Sequence, residues 1–189
     1  MTASRAAYAF AKLKFPGRDK IFLCYLSTMM IPWYVILIPQ FFIMQKLHLY
    51  DTHWSLILTG AFNVFGVFLL RQNMLSIPDS LAEAAKIDGC GPWGIYVKII
   101  LPLCTTSLAT LVVLTFNSVW NDYMGPMIYL DTDSKKTIQL RLATFRRQFD
   151  TDYGAIMAGT TLSLIPVVIL YAVAQKYIVE GIAYAGVKG

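Results

Sequence analysis

At 189 residues the chain has the length of one domain, but only 14% of it is charged and 57% is hydrophobic, whereas ordinary soluble domains carry roughly 25% charge. Too few charged residues exist to cover a water-facing exterior, so composition excludes a soluble domain, and the mean hydropathy of +0.55 fits a membrane. The net charge of +5 does not mark a nucleic-acid binder, because Lys and Arg fall in short clusters between apolar runs.

Residues 1–15 read as the end of a helix that is too short and too charged to span a bilayer. A spanning helix needs about 20 apolar residues for a hydrocarbon core of about 30 Å. Four stretches meet or approach this: 21–44, with Pro32 and Pro39; 54–70, with Gly60, Asn63 and Gly66; 103–125, with Asp122 near its far end; and 154–174, with Pro166. Intramembrane prolines are tolerated because neighbouring helices satisfy the freed backbone groups. The cysteines (Cys24, Cys90, Cys104) have no metal-site or disulfide spacing. No metal, cofactor or catalytic residue is expected. His48 and His53 read as surface histidines in a turn, and Asn63 as a packing contact.

Lys and Arg in the flanks set orientation. Taking the side of Lys12, Lys14, Arg18 and Lys20 as cytoplasmic, four crossings add Arg71, Lys86, Lys98, Lys176 and Lys188 to it. Lys46, Lys135, Lys136, Arg141, Arg146 and Arg147 fall outside, most of them beside Asp131, Asp133, Asp150 and Asp152. Both termini are then cytoplasmic. In the outer loop Ile138, Leu142 and Phe145 recur at helical spacing, and Arg146-Arg147 reads as a solvated pair.

The polar stretch 78–102, between the second and third spans, reads as a helical hairpin. Pro78 stops what precedes it, and Ser80-Leu81-Ala82-Glu83 has the spacing of a capping box. Asp88-Gly89 ends the first helix and Gly91-Pro92 starts a second. Trp93, Tyr96, Val97 and Ile100 then recur at helical spacing. Small residues on the first helix permit close approach by a partner groove. The apolar second helix can pass a push through Leu101-Pro102 into the next span.

In the third span Asn117 and Asn121 lie four apart and share a face, with Trp120 and Asp122 adjacent and Gly125-Pro126 expected to end the helix. Polar groups at membrane depth are costly and often line cavities. Asn117, Trp120 and Asn121 are therefore candidate substrate-pathway residues, with interhelical hydrogen bonding as the other reading.

Glu83-Ala84-Ala85, Gly89, Ile99 and Leu101-Pro102, with their spacings, resemble the cytoplasmic loop of permease subunits in ATP-binding-cassette importers. Ala7-Tyr8-Ala9-Phe10-Ala11-Lys12, Met29-Met30-Ile31-Pro32, Phe68-Leu69-Leu70-Arg71-Gln72, Trp120-Asn121-Asp122 and the C-terminal Gly186-Val187-Lys188-Gly189 resemble its carbohydrate-uptake, maltose and glycerol-phosphate group. The resemblance implies an all-α, polytopic transmembrane bundle of the type I importer kind, here with four full spans and the tail of one more in a single domain, 1–189. It implies a coupling helix in which Glu83, Ala84, Ala85, Asp88 and Gly89 dock on an ATPase subunit. It also implies a second, different permease subunit, an extracytoplasmic solute-binding protein, a sugar substrate and the cell membrane of a prokaryote. ATP hydrolysis belongs to the partner chain, so the permease is not an enzyme. Family members have six spans, so the chain reads as truncated at its front. A permease for another small solute and an ATP-independent facilitator are the competing readings, with a membrane scaffold behind them.

Overall fold

A computed structural model describes the backbone of residues 2–145 and 152–186, and their side chains as far as Lys176. Arg146, Arg147, Asp150 and the terminal Val187, Lys188 and Gly189 lie outside the described residues. Among the described residues all regular structure is helical: α1 (Thr2–Lys12), α2 (Arg18–Ser27), α3 (Trp33–Lys46), α4 (His53–Gly60), α5 (Val64–Leu75), α6 (Asp79–Ile87), α7 (Pro92–Ile95), α8 (Leu101–Leu103), α9 (Thr105–Trp120), α10 (Met124–Tyr129), α11 (Ile138–Thr144) and α12 (Tyr153–Gly186). His53–Leu75 and Tyr153–Lys176 are each long and apolar enough to cross a membrane. Arg18–Met30 with Trp33–Lys46, and Pro92–Leu103 with Thr105–Trp120, pass that test as broken pairs, giving up to four crossings by length and composition.

The apolar stretches are more broken than the sequence reading supposed. Helix stops at Ile31, which is extended (φ −83°, ψ 114°) ahead of Pro32, as the residue before a proline tends to be. Pro39 by contrast lies inside α3. The third span ends at Trp120, and Gly125-Pro126 begins the separate helix α10 rather than closing α9.

The chain divides into two compact units. The first comprises 1–32, 62–112 and 176 onward. Its core gathers Ala3, Ala7, Tyr8 and Ala11 of α1, Phe22 of α2, and Val67, Leu70 and Met74 of α5, with Ile77, Ala85, Ile95, Tyr96, Ile100 and Cys104. Alanine at every fourth position of α1 removes bulk from one face, which lets two helix backbones approach in the manner of membrane bundles. The helix that α1 packs on most extensively is α5. Asn63 is not a packing contact but the cap of α5: its Oδ1 accepts the Gly66 amide at 2.7 Å. A Cβ on Gly66 would stand 3.0 Å from the Leu111 methyls, so glycine admits α9 there. Arg71 ties α1, α2 and α5 together. Its Nε donates to the Phe10 carbonyl at 3.2 Å, its Nη2 to Asp19 at 3.0 Å, and its guanidinium lies 4.1 Å from the Phe22 ring centroid.

The second unit comprises 33–61 and 113–175. Two loops are knitted together in it by Asp51, whose φ of 55° lies in the left-handed region. The Asp51 amide donates to the Tyr129 carbonyl at 2.9 Å. Its Oδ1 accepts the amides of Asp131 (2.9 Å) and Thr132 (3.0 Å), and Oδ2 accepts the Thr132 hydroxyl and the Lys135 ammonium at 2.8 Å. These bonds, the Lys135 one foremost, hold the Asp51 carboxyl well below the ordinary carboxylate range. His53 Nε2 lies 3.0 Å from the Lys135 carbonyl. Helix α11 forms where its spacing predicts, but Leu140 is its buried residue, while Ile138 and Phe145 are exposed. Leu142 packs on Gly159 of α12 so closely that a Cβ there would come within 2.4 Å of its Cδ2.

Candidate functional site

The hairpin 78–102 lies wholly in the first unit. Helix α6 starts at Asp79, one residue before the expected cap, with Pro78 (φ −58°, ψ 136°) at its N-cap and no side-chain cap bond. Ser80 is therefore already inside the first turn, and the Ser80–Glu83 capping box does not form. The entry is held instead by Lys12, 67 residues away. Its ammonium donates to the Ile77 carbonyl and to Asp79 Oδ1, each at 2.6 Å, and its side chain is only 7% exposed. The Asp79 carboxyl is held below its ordinary pKa, first by that hydrogen bond and then by the charge of Lys12.

The exit of α6 follows the sequence closely. The Cys90 amide donates to the Ala85 carbonyl at 2.8 Å and the Gly89 amide to the Lys86 carbonyl at 3.0 Å. With Gly89 at φ 81°, this is a Schellman closure, which needs a left-handed residue at that point. Gly91 then caps α7, with Pro92 at its first position.

Of the five expected docking residues, Glu83, Ala84, Asp88 and Gly89 are exposed, whereas Ala85 is buried against the core. The outward face of α6 reads Ser80, Glu83, Ala84, Ile87, Asp88, the i, i+3, i+4, i+7, i+8 pattern of one helix side. Ile87 was missed by the sequence reading, yet it is 87% exposed. Its position four residues beyond Glu83, on the face opposite Ala82 and Ala85, was the available signal. A cavity of about 290 Å³ lies between Lys12, Lys14 and Arg18 on one side and Asp79, Ala82, Glu83 and Lys86 of α6 on the other.

The second arm departs from the expected stripe. Tyr96 and Ile100 are buried, but their companion is Ile95; Trp93 and Val97 are exposed. The Arg5 guanidinium lies over the Trp93 ring at 5.4 Å. Residues Tyr96–Ile100 form a wide, π-type turn, which takes up an extra residue and shifts the phase of everything before it. Pro102 has no amide to give the Lys98 carbonyl, a common cause of such an irregularity. At Cys104 (φ −96°, ψ 12°) the helix breaks, and α9 leaves at 78° to the preceding segment.

In the second unit the pathway candidates are partly engaged. Asn121 Nδ2 donates to the Asn117 carbonyl at 2.8 Å and to Asn117 Oδ1 at 3.0 Å, and both residues are exposed. Trp120 gives its indole N–H to the Ser163 carbonyl at 3.0 Å and stacks on Phe116. Trp120 therefore anchors α12, leaving the two asparagines as the exposed amides of this face. Among the described residues, no cluster of His, Cys, Asp and Glu has metal-binding geometry.

Comparison with known proteins gives one consistent result. The family described as "Binding-protein-dependent transport system inner membrane component" matches residues 3–184. The arabinooligosaccharides transport system permease protein AraQ of Halalkalibacterium halodurans is 36% identical over 187 residues, covering 99% of this chain and 67% of the relative. The lactose transport system permease protein LacG of Rhizobium radiobacter is 30% identical, covering 96% and 66%. In a solved bacterial ABC transporter involved in import of the acidic polysaccharide alginate, one chain matches with a TM-score of 0.81 and 30% identity, over 93% of this chain and 69% of that one. The chain thus spans about two thirds of the length of the relatives it matches.

Proposed function

The chain belongs to the family of binding-protein-dependent transport system inner membrane components, and from that premise we propose that it is the permease subunit of an ATP-driven sugar importer. Residues 1–189 act as one membrane domain, with the hairpin 78–102 docking on a separate ATPase subunit at the cytoplasmic face of a prokaryotic cell membrane. A second permease subunit completes the channel, and an extracytoplasmic binding protein delivers the solute. The permease performs no chemistry: it turns closure of the ATPase into a change of access. Saccharide substrates are named for relatives such as AraQ and LacG, and the exposed amides of Asn117 and Asn121 offer the donors and acceptors that sugar hydroxyls require.

The observation that carries this reading is the outward face of α6. A helix of nine residues holds Ile87 87% exposed, flanked by Glu83, Ala84 and Asp88, on a hairpin fixed at both ends. An apolar side chain so presented on a polar, anchored element fits a partner groove, and a facilitator has no use for one. Ile87→Glu and Glu83→Lys each leave the buried side of α6 intact. Co-purification of the ATPase with either variant is expected to fall at least about tenfold, the effect of losing roughly 1.4 kcal/mol of binding, with membrane insertion unchanged. Wild-type ATPase recovery with both variants would refute the docking role.

A further inference from the structure

The route from the hairpin into the bundle is open to question, because its covalent continuation is badly built for the task. Between α7 and α9 the chain passes through the wide turn at Tyr96–Ile100, the three-residue α8 with Pro102, and the break at Cys104. A push along such a path is absorbed at the irregularities. A second path is straighter. On α1, Ser4, Tyr8 and Lys12 recur every four residues, and each holds the hairpin. Ser4 Oγ shares a buried hydrogen bond of 2.8 Å with the Tyr96 hydroxyl. The Tyr8 hydroxyl donates to the Pro92 carbonyl at 3.1 Å. Lys12 binds the Ile77 carbonyl and Asp79. The stripe therefore grips both arms of the hairpin, and the adjacent stripe, Ala3, Ala7 and Ala11, is buried in the shared core with α5.

We propose that the Ser4–Tyr8–Lys12 stripe of α1 is the rigid link through which displacement of the docking hairpin reaches the bundle, with the segment from Val97 to Cys104 acting as a hinge. The hairpin and α1 then move as one body, and α5 moves with them through the alanine face. Tyr8 and Lys12 are positioning residues: their hydrogen bonds go to Pro92, Ile77 and Asp79, not to the outward face of α6. A charge and two hydroxyls suit this work: their bonds are directional and hold the angle between α1 and the hairpin. The proposal rests on the docking role of α6.

The test uses the assembled transporter in liposomes. Tyr8→Phe removes one donor and keeps the ring; Lys12→Met removes the charge and keeps the length. Each is expected to retain the ATPase and its hydrolysis while solute moved per ATP falls at least about fivefold, the low end of coupling between distant sites. Lys12→Arg is expected to restore most of that ratio. An unchanged ratio in Tyr8→Phe and Lys12→Met overturns the proposal. Spin labels in the otherwise unaltered chain decide the matter where Lys12→Met fails to accumulate. The Thr2–Lys86 distance is expected to be the same in the nucleotide-free and ATP-bound states, while the Lys86–Val112 distance, across Cys104, changes. A Thr2–Lys86 distance that differs between the states overturns the link. Failure of the docking role looks different: the ATPase then does not co-purify even with the wild-type chain.

Discussion

Gly89 and Asp51 both sit at positive φ, and for opposite reasons. At Gly89 the space is open, with nothing within 4 Å of a would-be Cβ, so Gly89→Ala costs only backbone strain, about 1–2 kcal/mol. That cost is expected as faster hydrogen exchange at the Cys90 amide, which closes the helix, with the bundle unaffected. Asp51 accepts the same kind of strain because its carboxylate gathers two amides, a hydroxyl and an ammonium. The pH sign follows from its lowered pKa. The carboxylate's stabilisation is complete above the unfolded value of about 3.9 and is lost only as pH falls through the lower folded value. Protection of the Asp131 and Thr132 amides is therefore expected to be flat from pH 8 to pH 5 and to disappear in strong acid. Asp51→Asn is expected to reduce it at every pH, since an amide cannot offer two acceptor oxygens. Neither Asp51 nor Lys12 was legible as anything but a flanking charge. Their partners lie more than sixty residues away, and no local pattern encodes such a meeting.

Elements whose signals are local came through the sequence well. The end of α6, the start of α7 at Pro92 and the short α11 follow from Asp88-Gly89, Gly91-Pro92 and the helical spacing of Ile138, Leu142 and Phe145. What failed did so where a distant group competes with a local one. The Ser80–Glu83 box is a favourable local cap, but Lys12 fixes the backbone at Ile77 and Asp79, so the helix begins before it. Trp93 and Val97 share a regular helical spacing with Tyr96 and Ile100, but the wide turn at Tyr96–Ile100 breaks that period and leaves both exposed. The α1–α5 contact offers the clearest test at this scale. Ala7 is fully buried between the two helices, and Ala7→Leu adds three carbons to a packed seam. It is expected to cost about 1–3 kcal/mol, as overpacking does, and to lower the melting temperature measured in detergent. Between α11 and α12, Gly159→Val meets Leu142 head-on. It is expected to displace α11 and to raise proteolysis there, and Leu142→Ala in the same chain to reverse both.

Over the whole molecule, large apolar side chains stand outward: Val112, Leu114 and Val119 of α9, and Leu162, Val168 and Ile169 of α12, are all exposed. In water this would be a severe liability; in lipid it is the expected exterior, and it is why composition alone settled the solvent. Among these, Asn117 and Asn121 are conspicuous. Replacing both with Leu is expected to keep insertion and ATPase recovery but to lower solute uptake. Cysteines at 117 and 121, in a chain lacking Cys24, Cys90 and Cys104, are expected to react with polar thiol reagents more in one nucleotide state than in another. Unreactive thiols in every state would assign the pair to packing. The grip of α1 on the hairpin has a consequence for biosynthesis too. Ser4 waits for Tyr96, Tyr8 for Pro92 and Lys12 for Asp79, so α1 is sealed only after the hairpin 78–102 has followed it. Contacts of such long sequence separation form late. Until they do, a buried-to-be lysine and a bare alanine face are open to chaperones and to membrane proteases, and the survival of the nascent chain depends on how quickly the hairpin 78–102 is translated.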